Sequence, residues 1–275
     1  MQSSAIKIAM TGWRDALNAI AQMVPVVGPA FLLTLVSEAL GQLLLGYSFA
    51  ADLAVSEGLY ISQSLMLAPL AIAVHRYVLL GEVTPRYALN PTDQRVRRYF
   101  ILAVAIQVLW LSIAIWFVLG HFIFGAPLVP GQPISPGNEG PAFWALVGGF
   151  IAVLVTGFIV GTAILGIVIL FPALAVDAPG AEWRNARDDS RGHTYQIFCA
   201  VALGLLPTLP FAGVDGVILA PKGAGSSPGL PSASQAIGVI LQAAEVVLIV
   251  AVLASITSKL YLDYGSRLNR APRTA

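Results

Sequence analysis

FPALAVDAPGAEWRNARDDSRGHTYQIF, Phe171 to Phe198, joins two long apolar runs and is the densest polar segment of the chain. It carries Arg184, Arg187 and Arg191 with Asp177, Glu182, Asp188 and Asp189. A charged connector between two membrane-length segments must lie in water or among lipid headgroups. Its basic residues indicate which side. Pro179 and Gly180 break the preceding helix, so a new short helix is expected over Ala181–Ser190. Glu182 would lie in its first turn and Arg191 at its end, both favourable to the helix dipole. Trp183 is expected to dip toward the bilayer, with Arg184 and Asp188 as an i,i+4 pair. Trp183, Arg184, Arg187 and Arg191 are therefore a candidate cytoplasmic interface for lipid headgroups or an unidentified protein partner.

The 275 residues are 57% hydrophobic and only 11% charged, with mean hydropathy +0.80. Soluble domains carry about 25% charged residues. A water-soluble fold of this length could not hide so much apolar surface, so the solvent is lipid. The lone Cys199 excludes an intramolecular disulfide framework. The opening residues lack the apolar core and cleavage site of a signal peptide.

The apolar runs predict an all-α polytopic membrane protein, a single membrane domain over 1–275 with six transmembrane helices. Spans are expected at about 24–47, 59–80, 99–120, 143–171, 195–219 and 233–261. Residues 5–23 precede them as an interfacial amphipathic helix. Its apolar stripe is Ile6, Met10, Trp13, Leu17 and Ile20. A cap packed under the bundle is the alternative. Gly157 and Gly161 form GxxxG in the fourth span, a surface for close helix packing. Pro207 and Pro210 should break the fifth span and free carbonyls that need partners. Connectors 125–141 and 220–232 are rich in Pro, Gly and Ser and read as loops. His75 and Arg76 close the second span as candidate headgroup contacts.

Basic residues segregate. Arg76, Arg86, Arg95, Arg97 and Arg98 follow the second span, and Arg184, Arg187 and Arg191 the fourth. Lys7 and Arg14 precede the first span, while Lys259, Arg267, Arg270 and Arg273 end the last. By the positive-inside rule both termini are expected on the cytoplasmic side of a bacterial inner membrane. Attraction to anionic lipid, about 1 kcal/mol per residue, accounts for these arginines without nucleic acid.

Two stretches, AVHRYVLLGE and FPALAVDAPGAEWRNARDDSRGHTYQIF, carry a resemblance. The chain resembles uncharacterised six-span bacterial membrane proteins. It is also similar to the membrane domain that accompanies some glycerophosphoryl-diester phosphodiesterases. The shared features are Pro172, the connector Ala181–Ser190 and the Arg191-Gly192 step. The phosphodiesterase catalytic domain is absent, so the resemblance implies a six-helix fold in a lipid or envelope context and no reaction.

Catalytic chemistry has little footing. Gly225-Ser226-Ser227-Pro228-Gly229 fits G-x-S-x-G but sits in a Gly/Ser loop without the strand and helix of a nucleophile elbow. His75, His121 and His193 are scattered, and no metal or cofactor motif emerges. The deep polar residues are more telling. Glu38 lies fourteen residues past Val24, and Glu245 fourteen before Lys259. At 1.5 Å per residue both sit roughly 21 Å from their basic ends. Gln42 and Gln242 share their helix faces. A carboxylate facing lipid is expensive, so both are expected to face the bundle interior. Glu38, Gln42, Gln242 and Glu245 form a candidate intramembrane polar site. Two roles follow: a non-enzymatic envelope scaffold, sensor or accessory, or a small transporter or channel that uses Glu38 and Glu245.

Overall fold

A computed structural model describes residues 4–44, 49–124, 139–210 and 233–269. The helices run α1 Ala5–Gln22, α2 Val24–Leu44, α3 Phe49–Leu80, α4 Gln94–Phe124, α5 Glu139–Leu165, α6 Leu170–Ala175, α7 Trp183–Ser190 and α8 Thr194–Leu205. A 3-10 turn, Leu206–Thr208, follows α8, and Ala233–Tyr264, here α9, is the last. The loop reading of 220–232 and the Gly225–Gly229 pattern lie outside the described residues.

The six-span bundle is corrected. Among the described residues four helical stretches are long and apolar enough to cross a membrane: Val24–Leu44, Ala54–Leu80, Leu154–Ala175 and Gln235–Tyr264. The expected fifth span, 195–219, is not among the four. A 3-10 turn at Leu206–Thr208 interrupts its α-helix, the apolar stretch Thr194–Thr208 rises roughly 22 Å against a ~30 Å hydrocarbon core, and 211–219 lie outside the described residues. The expected third span lies within α4, which opens with Arg95, Arg97 and Arg98 and is not among the four.

The chain divides into two compact units, residues 1–101 with 166–275, and Leu102–Leu165. In the second unit, a Cβ built on Gly157 or Gly161 meets nothing within 4 Å. Among the described residues, the close helix approach suggested by GxxxG is not seen there.

The first unit is organised around α3. From Leu67 to His75 that helix is buried on every side, packed by α1, α2, α6 and α9. Ala68, Ala71 and Ala73 keep its girth small, which suits close packing where lipid gives helices no hydrophobic drive to associate. Helices α2 and α3 pair antiparallel: a Cβ on Gly41 would meet Leu59 at 3.2 Å and Ser37 meets Gln63; just before α2, Gln22 at the end of α1 donates to the Tyr77 hydroxyl at 3.0 Å. Pro69 withholds the donor that would reach the Leu65 carbonyl. The Tyr87 hydroxyl, returning along α3, donates to the adjacent Met66 carbonyl at 2.5 Å. Burial pushes that phenol up to about 12. Gly81, at φ 69, ends α3 in the left-handed region.

Helix α1 begins at Ser4, whose side chain caps Lys7 N–H. Its buried face is Ile8, Ala9, Gly12, Ala16 and Ala19, not the large apolar stripe. Ile6, Met10 and Leu17 are exposed. The small face lies against α9 and α8. Gly12 faces Ile256 and Asp15 pairs with Lys259 Nζ at 2.6 Å, so the contacts advance together along both helices.

Candidate functional site

Helix α2 brings Thr34 and Ser37, both buried, to the face that meets α3. Thr34 turns its hydroxyl back to the Ala30 carbonyl at 2.9 Å, closing its own hydrogen bond within the helix. Across the interface Gln63 is buried. Its Nε2 donates to Glu38 Oε1 at 2.7 Å and to Ser37 Oγ at 3.2 Å. Half-buried Glu38 is thus held by an amide on a neighbouring helix. Gln42, the amide expected to serve it, is exposed. Tyr60 lies within electrostatic reach of both Glu38 and Glu57.

Helix α9 packs on both α2 and α3, and its register fixes the level of Glu245. His75 of α3 meets Ser258 of α9. Gln63 lies twelve residues before His75, and Val246 twelve before Ser258. At 1.5 Å per residue, Glu245 therefore stands level with Gln63 and Glu38 to within about one residue. Glu245 and Gln242 are both half-buried. Gln242 Oε1 is itself buried with no hydrogen-bond partner among the described residues. An unsatisfied buried acceptor costs roughly 1–3 kcal/mol. The level thus holds two carboxylates, the free amide oxygen of Gln242 and the Ser37 hydroxyl, a set dominated by acceptors. Such a set suits a proton or a cation.

At the basic end, the His75 ring is fully buried. Its Nδ1 lies 2.8 Å from Ser258 Oγ and its Nε2 3.3 Å from the Tyr99 hydroxyl. Tyr99 in turn packs on Phe171, ring centroids 4.7 Å apart. These contacts take His75 away from any headgroup, because the turn of α3 that carries it is enclosed by α9 and the start of α4. Arg76 pairs with Glu82 at 2.5 Å and donates to the Ala175 carbonyl at 3.3 Å.

The connector forms α7 over Trp183–Ser190, two residues shorter than expected because Glu182 is an extended N-cap. Asp188 pairs with Arg267, not with Arg184. Asp189 is buried and accepts the backbone N–H of Arg267 at 2.8 Å and of Leu268 at 3.1 Å. The segment after α9 is thereby fastened to α7. Trp183, Arg184, Arg187 and Arg191 are exposed.

The carbonyls freed near Pro207 find partners. Trp13 Nε1 donates to Gly204 O at 2.7 Å, and Thr208 Oγ1 to Leu205 O at 2.8 Å. Neither Gln63 nor Asp189 stands out in the sequence as a partner. Gln63 had one signal, an amide at the depth of Glu38.

No family model, curated protein or solved structure matches the chain. The likeness to six-span bacterial membrane proteins and to the phosphodiesterase-associated membrane domain is corrected accordingly: the described residues hold four candidate spans, not six. Its features have local causes. Pro172 is buried in α6, and Gly192 takes φ 85 where the chain turns from α7 into α8.

Proposed function

We propose that this multi-pass α-helical membrane protein is a small transporter or channel whose α2–α3–α9 core binds a proton or a small monovalent cation at Glu38 and Glu245. The observation that carries the reading is the shared level of Glu38, Gln63 and Glu245, with the buried Gln242 oxygen left without a donor. A purely structural polar knot would be expected to satisfy its own acceptors. Glu57, half-buried in the same span, adds a carboxylate toward the far end of α3. An ionisable group within a membrane helix is a site hypothesis by default. The gathering of basic residues at one end of the helices supports reading that end as cytoplasmic.

The test is flux. Purified protein is reconstituted into liposomes, and gradients of H⁺, Na⁺ and K⁺ are imposed in turn, with an entrapped reporter dye. Flux above empty liposomes is expected for one of the three. Glu38→Gln and Glu245→Gln should each lower it at least tenfold while thermal unfolding stays near that of the parent. No flux of any of the three ions would overturn the proposal, and the envelope scaffold or sensor role would take its place.

A further inference from the structure

We propose that the exposed face of α7 is a binding surface for anionic phospholipid headgroups. In sequence the connector is balanced: Asp177, Glu182, Asp188 and Asp189 accompany Arg184, Arg187 and Arg191. Folding separates the signs. Asp177 is taken by Arg95 and Asp188 by Arg267. Asp189 is buried against the backbone N–H groups of Arg267 and Leu268. Arg184, Arg187 and Arg191 are left exposed and pair with no carboxylate among the described residues. Glu182 is the one acidic residue of the four that stays exposed without such a partner. A connector that looks neutral therefore presents three guanidinium groups outward. Guanidinium forks bind phosphate oxygens bidentately.

Lipid, rather than an acidic protein, is favoured by what flanks the face. Trp183, 45% exposed, stands beside Arg184. Tyr195, four residues past Arg191, is 78% exposed at the first turn of apolar α8. Phe198 follows, also exposed. An aromatic pair bracketing basic residues, next to an apolar helix, marks headgroup level. The connector is also tied down: it lies between Ala175, where one apolar stretch closes, and Thr194, where the next opens, and Asp189 of α7 holds the segment that follows α9.

The test uses the full chain in detergent, titrated with phosphatidylglycerol or phosphatidylcholine and read by native mass spectrometry. Phosphatidylglycerol should bind more tightly. The triple variant R184Q/R187Q/R191Q should weaken it about a hundredfold, near fivefold per arginine, with phosphatidylcholine unchanged. A second readout needs no arginine variant. In nanodiscs, brominated phosphatidylglycerol should quench the fluorescence that Trp183→Phe removes. Equal affinity of the triple variant for phosphatidylglycerol would overturn the proposal. So would an unquenched Trp183, or its shielding by polyglutamate instead of by lipid. None of these outcomes depends on ion flux.

Discussion

Ile256 is fully buried between two glycines, and the geometry of that wedge permits a sharp prediction. A Cβ on Gly204 of α8 would stand 2.0 Å from Ile256 Cδ1 and 3.5 Å from its Cγ1. A Cβ on Gly12 of α1 would stand 2.5 Å from Cγ1 and 3.4 Å from the Ile256 backbone. Overpacking of a tight core costs about 1–3 kcal/mol. Alanine in a helix returns up to about 1 kcal/mol relative to glycine. Gly204→Ala and Gly12→Ala should each destabilise by roughly 1–2 kcal/mol on balance. Ile256→Val removes Cδ1 and keeps both Cγ branches, at its own cost of about 0.5–1.5 kcal/mol. It should therefore relieve Gly204→Ala but not Gly12→Ala. In a double-mutant cycle, coupling of at least about 1 kcal/mol is expected for Gly204 with Ile256, and near zero for Gly12. Reversible unfolding in mixed micelles, followed by tryptophan fluorescence, gives the four free energies of each cycle. Equal rescue of both glycine variants would refute the wedge, as would a Gly204→Ala protein as stable as the parent.

Two further outcomes follow from the basic end of the helices. Asp189→Asn loses the charge in the bonds from Arg267 and Leu268 N–H; about 1–2 kcal/mol of stability should go with it, and tryptic cleavage at Arg267 should quicken. An unchanged cleavage rate would show that Asp189 does not hold the C-terminal segment. Reporter fusions in the loop at Glu82 and after Ala275 should both report the cytoplasm, because Gln22–Tyr77, His75–Ser258 and Asp15–Lys259 gather the C-terminal ends of α1, α3 and α9 together; a split result would remove the topology.

Local features were legible in the sequence because they depend on neighbours in the chain. The Pro-Gly break before α7 and the interruption of helix at Pro207 are of this kind. Features set by the solvent were harder. In water the large stripe Ile6, Met10 and Leu17 would be the buried face of α1. In lipid it has no need of protein cover, and Gly12, Ala16 and Ala19 form the packed face, because small residues let backbones approach. The count of spans was overdrawn for a related reason. An apolar window does not reveal that regular α8 gives way to a 3-10 turn at Leu206–Thr208, leaving the described apolar stretch Thr194–Thr208 short of the four candidate spans. Gln63 and Asp189 depend on tertiary register, which only the packing of α2 on α3, and of the segment after α9 on α7, supplies.

That register also bears on how an ion could move. Below the level of Glu38 and Glu245, α3 runs Leu65 to Val74 without a polar side chain, and α9 runs Val246 to Ala254 likewise. Thr34 is turned back on its own helix, and Ser255 is buried. About 18 Å of close-packed apolar core therefore separates the acceptor level from His75 and Ser258 at the basic end. Toward the far end lie Glu57 and Tyr60, half-buried and exposed respectively. A site open to both sides would leak, whereas one sealed by apolar packing on a single side holds its ion until the seal moves. Within that seal lies Pro69, where α3 lacks a backbone bond and Tyr87 bonds the neighbouring Met66 carbonyl. On the proposed function, passage of an ion from this level to the basic end would require α3 to shift about Pro69.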